Sequence, residues 1–507
     1  MAWASEAPVV GIIEGFYGPP WSWTQRTATA RWCAARGMTH YVYAPKDDPK
    51  HRERWRDPYD DAELAAFEAL VVDGGLALGF ALSPGLSIDY GSEADRQVLH
   101  AKVASVLDRG VSTIVLALDD IPDRPGLGRE HAAITTWLHD RLGGAAVLVL
   151  VPTQYLGSRR TDHLDDLARG VLPEVPIAWT GESVVNDEIT VADAERRRDA
   201  LGGRAPLLWD NFPVNDAVMA DRLFLGPLVG REPGLTAACA GWLANPMVQP
   251  QASLLPLASV AAFLRGDDPV AVWEAEADSS AGARSQRRAT AAPPNRLVDE
   301  LEAVLDTPAW VAPAAALAGW LDAAAVVEAP GLEEEAAPWL DQVRAEAVVA
   351  RRSLRLLAAT RPALELDRDG RGRAAPVDPD AVLAMAARLL ATWPPVRLGR
   401  ASVLGPRCSA RPSLAQRPDG GWRLRGDAIV EDGNALDRLV RRGLAAAASV
   451  GEPSLGVVVG ATLVEVGPDG RFDVTEATSV RATSAGTTTG GTAPLLPPLP
   501  DRRLDSA

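Results

Sequence analysis

Over its first 245 residues the chain repeats one unit: a short run of β-branched and apolar positions, a polar cluster, then a stretch with helical spacing. The runs fall at 9–16, 40–44, 76–82, 113–118, 145–151, 176–179, 206–209 and 237–243, starting about 30 to 38 residues apart. Several are continuously apolar rather than alternating, as parallel strands covered on both faces must be. The segments between them, such as 23–36 and 61–73, have the amphipathic spacing of crossover helices. Eight such units in about 250 residues predict an α/β fold of the (β/α)8 barrel type. An open doubly wound sheet is the alternative, and its dinucleotide-binding version lacks the GxGxxG turn after the first run.

The pattern changes near residue 250. Residues 251–398 are rich in Ala, Leu, Glu and Arg at helical spacing, for example at 333–357 and 380–392, and predict a helical domain with a long loop at 279–295. Residues 399–482 predict a small α+β module, with β-like stretches at 422–430 and 456–466 around a helix at 434–448. The Thr/Gly/Pro-rich segment 483–507 has little to bury and predicts a disordered tail. The barrel domain is then 1–250.

Composition narrows the function classes. The 507 residues carry a formal charge of −16, which disfavours a phosphate-tracking surface and hence nucleic-acid partners. No apolar run approaches the roughly 18 to 20 residues that span a bilayer; the longest, 314–327, is interrupted by Asp322. The first eight residues lack the basic and apolar blocks of a secretory signal, so the expected location is the cytoplasm. Cys33, Cys239 and Cys408 are too few and too far apart for a disulfide framework or a thiolate metal site. Arg vastly outnumbers Lys, a bias that points to a GC-rich bacterial genome. Lys46, Lys50 and Lys102 are the only lysines, so a compact ammonium where one is kept is informative.

The chemistry collects where the predicted strands end. The run ends carry Glu14-Gly15, Lys46-Asp47-Asp48, Ser83-Pro84, Asp119-Asp120, Thr153-Gln154-Tyr155, Thr180-Gly181, Trp209-Asp210-Asn211 and Asn245-Pro246. In a barrel these ends line one mouth, where active sites sit. A ring of acids, amides, one Lys and aromatics there suits a hydroxyl-rich ligand.

Asp119-Asp120 at the end of a buried strand is costly unless used. Three uses compete. A catalytic zinc site lacks ligands, since there are six histidines and no HxH or HExxH; magnesium held by carboxylates and phosphates stays open, without a phosphate loop beside it. A glycosidase with a protein nucleophile needs carboxyls about 5 to 5.5 Å apart across the scissile bond, whereas neighbouring Cα atoms are about 3.8 Å apart and work more naturally from one side. In substrate-assisted hydrolysis the sugar's own acetamido oxygen attacks; one carboxylate steadies the acetamido N–H and the other protonates the leaving oxygen. An adjacent pair suits this third use best, provided the chain bends at Asp119-Asp120, because adjacent side chains on a regular strand diverge. As the acid, Asp120 is expected to have a raised pKa from burial beside a second carboxylate.

GIIEGFYGPPW (11–21), YVYAPKDDPKHRERWR (41–56), SPGL (83–86), LALDDI (116–121), PTQYLG (152–157), AWTG (178–181), WDNFPVND (209–216), RLFLGPL (222–228) and LANP (243–246) together resemble the catalytic domain of glycoside hydrolase family 84, the β-N-acetylglucosaminidases that include the protein O-GlcNAcases. The likeness is collinear over roughly residues 8–250. It implies that Asp119 polarises the acetamido nitrogen and stabilises an oxazoline, and that Asp120 is general acid and then general base. It also implies that Tyr155 steadies the acetamido group, Asn211 holds the acetamido side and Asp119, and Trp209 walls the acetamido methyl. Gly15 (through its carbonyl), Lys46, Asp216 and Asn245 would then hold sugar hydroxyls. No cofactor or metal is implied, and the partner is a glycoconjugate bearing β-linked GlcNAc, with the helical domain offering a surface for the aglycone or for a homodimer. The family likeness leaves three plainer expectations to test: Tyr17, Trp21 and Trp55 as scaffold, Lys46 paired with Asp47 or Asp48, and Trp209 as core. Gln154 stands where some relatives carry an acid, which bears on the aglycone. The rival functions are another substrate-assisted hexosaminidase or chitinase, and a catalytically idle GlcNAc-binding module.

Overall fold

The eight apolar runs become eight strands: β1 (Val9–Glu14), β2 (His40–Tyr43), β3 (Ala77–Leu82), β4 (Thr113–Ala117), β5 (Val147–Val151), β6 (Ala178–Trp179), β7 (Leu207–Asp210) and β8 (Gly241–Ala244). The computed structural model describes residues 8–220, 223–279, 333–360, 364–366, 372–374, 377–397, 413–416, 422–425, 435–450, 455–459, 462–466 and 472–476. The strands pair in parallel in the order β5-β4-β3-β2-β1-β8-β7-β6. One parallel bridge, Leu150 to Ile177, joins the two ends, so the sheet is a nearly closed (β/α)8 barrel. The unbroken apolar runs follow from burial on both faces: Ile13, Val42, Val115, Val149 and Leu243 fill the interior, while Ile12, Tyr41, Ile114, Leu116 and Trp242 belong to the layer under the helices. The run at 237–243 is read differently by the fold. Its first residues end the short helix α7 (Leu235–Ala238), and the strand starts at Gly241. Alanines favour helix, and an apolar run alone does not distinguish the two.

Five of the six crossover helices start at a side-chain cap, and the fourth starts after Gly126 without one. The six are α1 (Trp23–Ala34), α2 (Asp61–Gly74), α3 (Glu93–Leu107), α4 (Leu127–Leu142), α5 (Asp162–Gly170) and α6 (Val191–Ala200). Ser22 with Gln25, Asp60 with Glu63, and Thr190 with Asp193 form reciprocal capping boxes that satisfy otherwise orphaned N–H groups. After β8, α8 (Pro250–Arg265) and α9 (Pro269–Ser279) follow.

Glu14, which the sequence places at the mouth, faces away from it. Its buried carboxylate accepts from Arg26 Nε at 2.7 Å and Nη2 at 2.9 Å, from the Tyr41 hydroxyl at 2.6 Å and from the Trp21 N–H at 3.0 Å, tying α1 to the barrel. Arg26→Met leaves that carboxylate buried without its counter-charge. Such a loss costs about 3–5 kcal/mol. A guanidinium-chloride titration in which the unfolding free energy changes by less than about 1 kcal/mol would show the ion pair to be dispensable.

The chain forms two compact units. One comprises 1–292 and 327–340, and the other 293–326 and 341–507. The unit holding the barrel is thus longer than 1–250. It takes in α8 and α9, which the sequence reading put in the helical domain, and the first residues of α10 (Glu333–Ala359). There the Glu335 carboxylate accepts from the main-chain N–H groups of Gln251 (3.2 Å) and Ala252 (3.0 Å), capping the start of α8.

The second unit contains the rest of α10, then α11 (Pro379–Arg397), α12 (Ala435–Val450), two short hairpins, and the antiparallel sheet of Leu455–Val459, Thr462–Val466 and Phe472–Glu476. α12 buries Leu436, Leu439, Val440, Leu444 and Ala447, one face of a helix. The expected tail at 483–507, almost all of the loop at 279–295, and Cys408 lie outside the described residues. Among the described residues no helix is long and apolar enough to cross a membrane.

Candidate active site

β4 delivers the acidic pair. Its extension is pinned to β5, with the Leu118 N–H on the Val151 carbonyl at 2.8 Å and the Thr153 hydroxyl on the Leu118 carbonyl at 2.7 Å. The required bend is present: Asp120 has φ +50, one of two described non-glycine residues with positive φ. That left-handed step turns its side chain to the same mouth as Asp119. Lys46 pairs with neither Asp47 nor Asp48. Its Nζ lies 2.5 Å from Asp119 Oδ2 and 3.5 Å from Asp120 Oδ2. Asp47 instead accepts from the Gly18 N–H, and Asp48 from the Tyr43 and Tyr59 hydroxyls.

The two carboxylates live differently. Asp119 is buried, and its Oδ1 has no hydrogen-bond partner among the described residues. An unsatisfied buried carboxylate oxygen is expensive, which makes it an acceptor in search of an N–H. Asp120 is surrounded by donors: the Tyr17 hydroxyl on Oδ2 at 2.8 Å, the Tyr155 hydroxyl on Oδ1 at 3.0 Å, and Arg52 Nη1 3.6 Å from Oδ2. Burial pushes the Asp120 carboxyl up. The Lys46 charge, the two phenols and the Arg52 charge outweigh burial and hold it below the usual carboxylate range. The raised pKa expected from the sequence is therefore reversed here, because that reading counted burial and the second acid but not the four donors. Burial, with the Asp120 charge second, pushes both phenols upward, so Tyr17 and Tyr155 stay protonated donors.

Across the mouth, Trp209, Asn211 and Asn245 form one amide chain. Trp209 Nε1 donates to Asn211 Oδ1 at 3.0 Å, Asn245 Nδ2 donates to the same oxygen at 2.9 Å, and Asn211 Nδ2 donates to the Val184 carbonyl at 2.8 Å. Asn211 is thus bonded to these groups and not to Asp119. Asn245 Oδ1 accepts from the Gly15 N–H at 3.2 Å. Gly15 has a steric reason to be glycine: a Cβ there would lie 2.4 Å from the Trp209 ring. Trp209 is core, packed among the interior residues, with the Lys46 ammonium 5.9 Å from its ring. Asp216 accepts from the Tyr17 N–H at 2.6 Å, and burial raises its carboxyl. Gln154 is turned to Asp123 (2.7 Å) and Thr161.

Trp21 and Trp55 are buried scaffold, but Tyr17 is not: it is 39% exposed and bonded to Asp120. Tyr17 and Arg52 are the site residues that sequence reasoning missed. Both stand inside quoted motifs, EGFYG and KHRERWR, and position after a strand was the available signal. Among the described residues no group of three or more His, Cys, Asp or Glu could hold a metal ion.

A parallel eight-stranded barrel with a carboxylate pair set among hydroxyls, amides and an indole at its C-terminal mouth is the architecture of a glycoside hydrolase. Residues 10–292 match the family model described as beta-N-acetylglucosaminidase (NAGidase), just over half of the chain, and the chain belongs to that family. Two relatives are the protein O-GlcNAcases of Rattus norvegicus and Mus musculus. Each is 30% identical over 275 residues, 51% of this chain and 30% of theirs, so the match spans less than a third of those relatives. Among solved structures, an O-GlcNAc hydrolase mutant from Thermobaculum terrenum superposes with a TM-score of 0.71 at 23% identity, covering 87% of this chain and 96% of that one. The structure of CpGH84B gives 0.68 at 20% identity, covering 87% and 77%. Both show a shared fold.

Proposed function

We propose that the protein is a retaining exo-β-N-acetylglucosaminidase that works by substrate assistance, removing β-linked GlcNAc from proteins or other glycoconjugates. The observation that carries this reading is the division of labour in the acidic pair: a buried Asp119 with one oxygen unpartnered, next to an Asp120 set among donors. Asp119 Oδ1 accepts the acetamido N–H, which sharpens the acetamido oxygen as a nucleophile. That oxygen bonds to the anomeric carbon while Asp120 protonates the departing oxygen, whose bond breaks with its electron pair. The product is a bicyclic oxazoline. Asp120, now ionised, takes a proton from water as its oxygen adds to the anomeric carbon from the face the leaving group vacated; the bond from that carbon to the acetamido oxygen breaks and its electron pair returns to the acetamido group, so configuration is retained.

The remaining groups bind. Trp209 walls the acetamido methyl, Tyr155 turns from Asp120 to the acetamido group, and Asn211 closes that side through its second amide hydrogen. The Gly15 carbonyl, Lys46, Asp216 and Asn245 take ring hydroxyls. Cys33 and Cys239 are buried free thiols, in keeping with a reducing, cytoplasmic location.

The test is a substrate panel of an aryl β-GlcNAc glycoside, a GlcNAc-peptide, chito-oligosaccharides and a muropeptide. Release of single GlcNAc units with retained configuration is expected. Binding without turnover would make the protein an idle GlcNAc-binding module, and release of dimers would make it chitinase-like.

A further inference from the structure

The left-handed step at Asp120 is held from outside its own strand. Arg52, 9% exposed, donates through Nη2 to the Asp120 main-chain carbonyl at 3.2 Å and through Nη1 to the Tyr17 hydroxyl at 3.0 Å. A guanidinium has donors only, so the Tyr17 oxygen must accept from Arg52, and its single proton is directed to Asp120 Oδ2. Lys46 Nζ and Arg52 Nη1 face the same oxygen, at 3.5 and 3.6 Å. Oδ1, by contrast, meets only the Tyr155 hydroxyl among the described residues. The segment that presents Arg52 is stiff. Lys102 Nζ donates to the carbonyls of Lys50 (2.7 Å) and Asp57 (2.6 Å), the His51 ring meets the Ala81 carbonyl at 2.8 Å, and the Ser83 N–H donates to the His51 carbonyl at 2.9 Å.

We propose that Arg52 is a positioning residue which, through Tyr17 and the Asp120 main chain, reserves Oδ2 of Asp120 for accepting bonds and leaves Oδ1 to carry the proton given to the leaving oxygen. The inference deepens the hydrolase reading and rests on it. Three donors load Oδ2, so a proton there would displace or repel them, whereas Oδ1 gives up one phenol. When Tyr155 turns to the substrate, Oδ1 faces the glycosidic oxygen with its proton, and Oδ2 stays bonded to Tyr17.

The experiment compares wild type, Arg52→Lys, Arg52→Met, Tyr17→Phe and the Arg52→Lys/Tyr17→Phe pair on an activated aryl glycoside and on an alkyl glycoside with a poor leaving group. Arg52→Lys keeps the charge but loses the two-pronged fork. It and Tyr17→Phe should each lower kcat on the alkyl substrate by about tenfold or more, part of what a positioned acid supplies, with KM little changed and the aryl substrate largely spared. The pair should be no slower than the slower single variant, because both act on one path. In Arg52→Met and Tyr17→Phe the basic limb of the rate profile should move to higher pH, since fewer donors favour the carboxylate. A merely structural Arg52 would slow both substrates alike and leave that limb in place. Equal losses on both substrates, an unmoved limb, additive losses in the pair, or an Arg52→Lys variant that matches wild type would overturn the inference. If Arg52→Met does not fold, Arg52→Lys and Tyr17→Phe decide it. An inactive wild type would remove the hydrolase reading together with this inference, whereas an active wild type with unmoved variants removes this inference alone.

Discussion

Asp119→Asn is expected to lower turnover of aryl β-GlcNAc glycosides by about 10²–10³-fold, the scale of removing one fixed group that stabilises charge in a transition state. In the proposed mechanism the positive charge that spreads over the forming oxazoline needs a nearby anion already in place, and Asp119 is held at the mouth by Lys46 at 2.5 Å. Asn keeps the shape but not the charge, and it leaves the Lys46 ammonium without its closest partner. Successive fluorination of the acetamido methyl weakens the nucleophile. The wild-type rate should therefore fall steeply along the fluorinated series, and the Asp119→Asn series should follow a different slope, because the carboxylate that assists the amide is gone. A thiazoline mimic of the intermediate should compete for the wild-type site and bind the variant poorly. A rate indifferent to fluorination, or a 2-fluoro sugar trapped covalently on an Asp or Glu, would overturn the mechanism.

Asp120→Asn is expected to split substrates by leaving group. Alkyl glycosides and GlcNAc-peptides, which depart only with a proton, should lose about 10²–10⁴-fold, the range for a positioned general acid. Activated aryl glycosides should lose much less in the first step. Equal losses would remove Asp120 from the role. The pH dependence has a definite sign. In the free protein Lys46, Tyr17, Tyr155 and Arg52 hold the Asp120 carboxyl below the usual carboxylate range, after burial has pushed it up. A group that must be protonated and is hard to protonate loses its competent form as pH rises, so kcat/KM on poor leaving groups should decline from an acidic limb. In the proposed mechanism bound substrate engages the Tyr155 hydroxyl and displaces bulk water, and both changes favour the neutral acid. The basic limb of kcat should thus lie at higher pH than that of kcat/KM, because the two report the complex and the free protein respectively. Coincident limbs would show that Tyr155 does not change partners.

The barrel was legible because each strand is buried on two faces and each crossover helix is amphipathic, so both periods stand in the sequence at once. The mouth was legible as a set of strand ends, and the bend at Asp119-Asp120 followed from the need to aim both carboxylates at one place. Partners across the mouth were not legible. Lys46 stands next to Asp47 and Asp48 but bonds Asp119, 73 residues away. Tyr17 looks like an aromatic of the scaffold until Arg52, after β2, and Asp120, after β4, are brought to it. The Asp120 pKa was misread for the same reason. Its burial could be inferred locally, but its four donors come from loops after β1, β2 and β5. Glu14 shows the reverse case, an acid at a strand end whose carboxylate is taken up by Arg26, Tyr41 and the Trp21 main chain.

The carboxylate of Glu335 at the start of α8 gives the barrel a late-arriving part. Gln251 and Ala252 wait 84 and 83 residues for it along the chain. During synthesis all eight strands leave the ribosome before the residue that caps the helix following β8, just beyond Asn245. At about 5–20 residues per second that interval lasts several seconds. Through it the helix that follows β8 stands without that cap, which comes from a segment that forms no strand of the barrel.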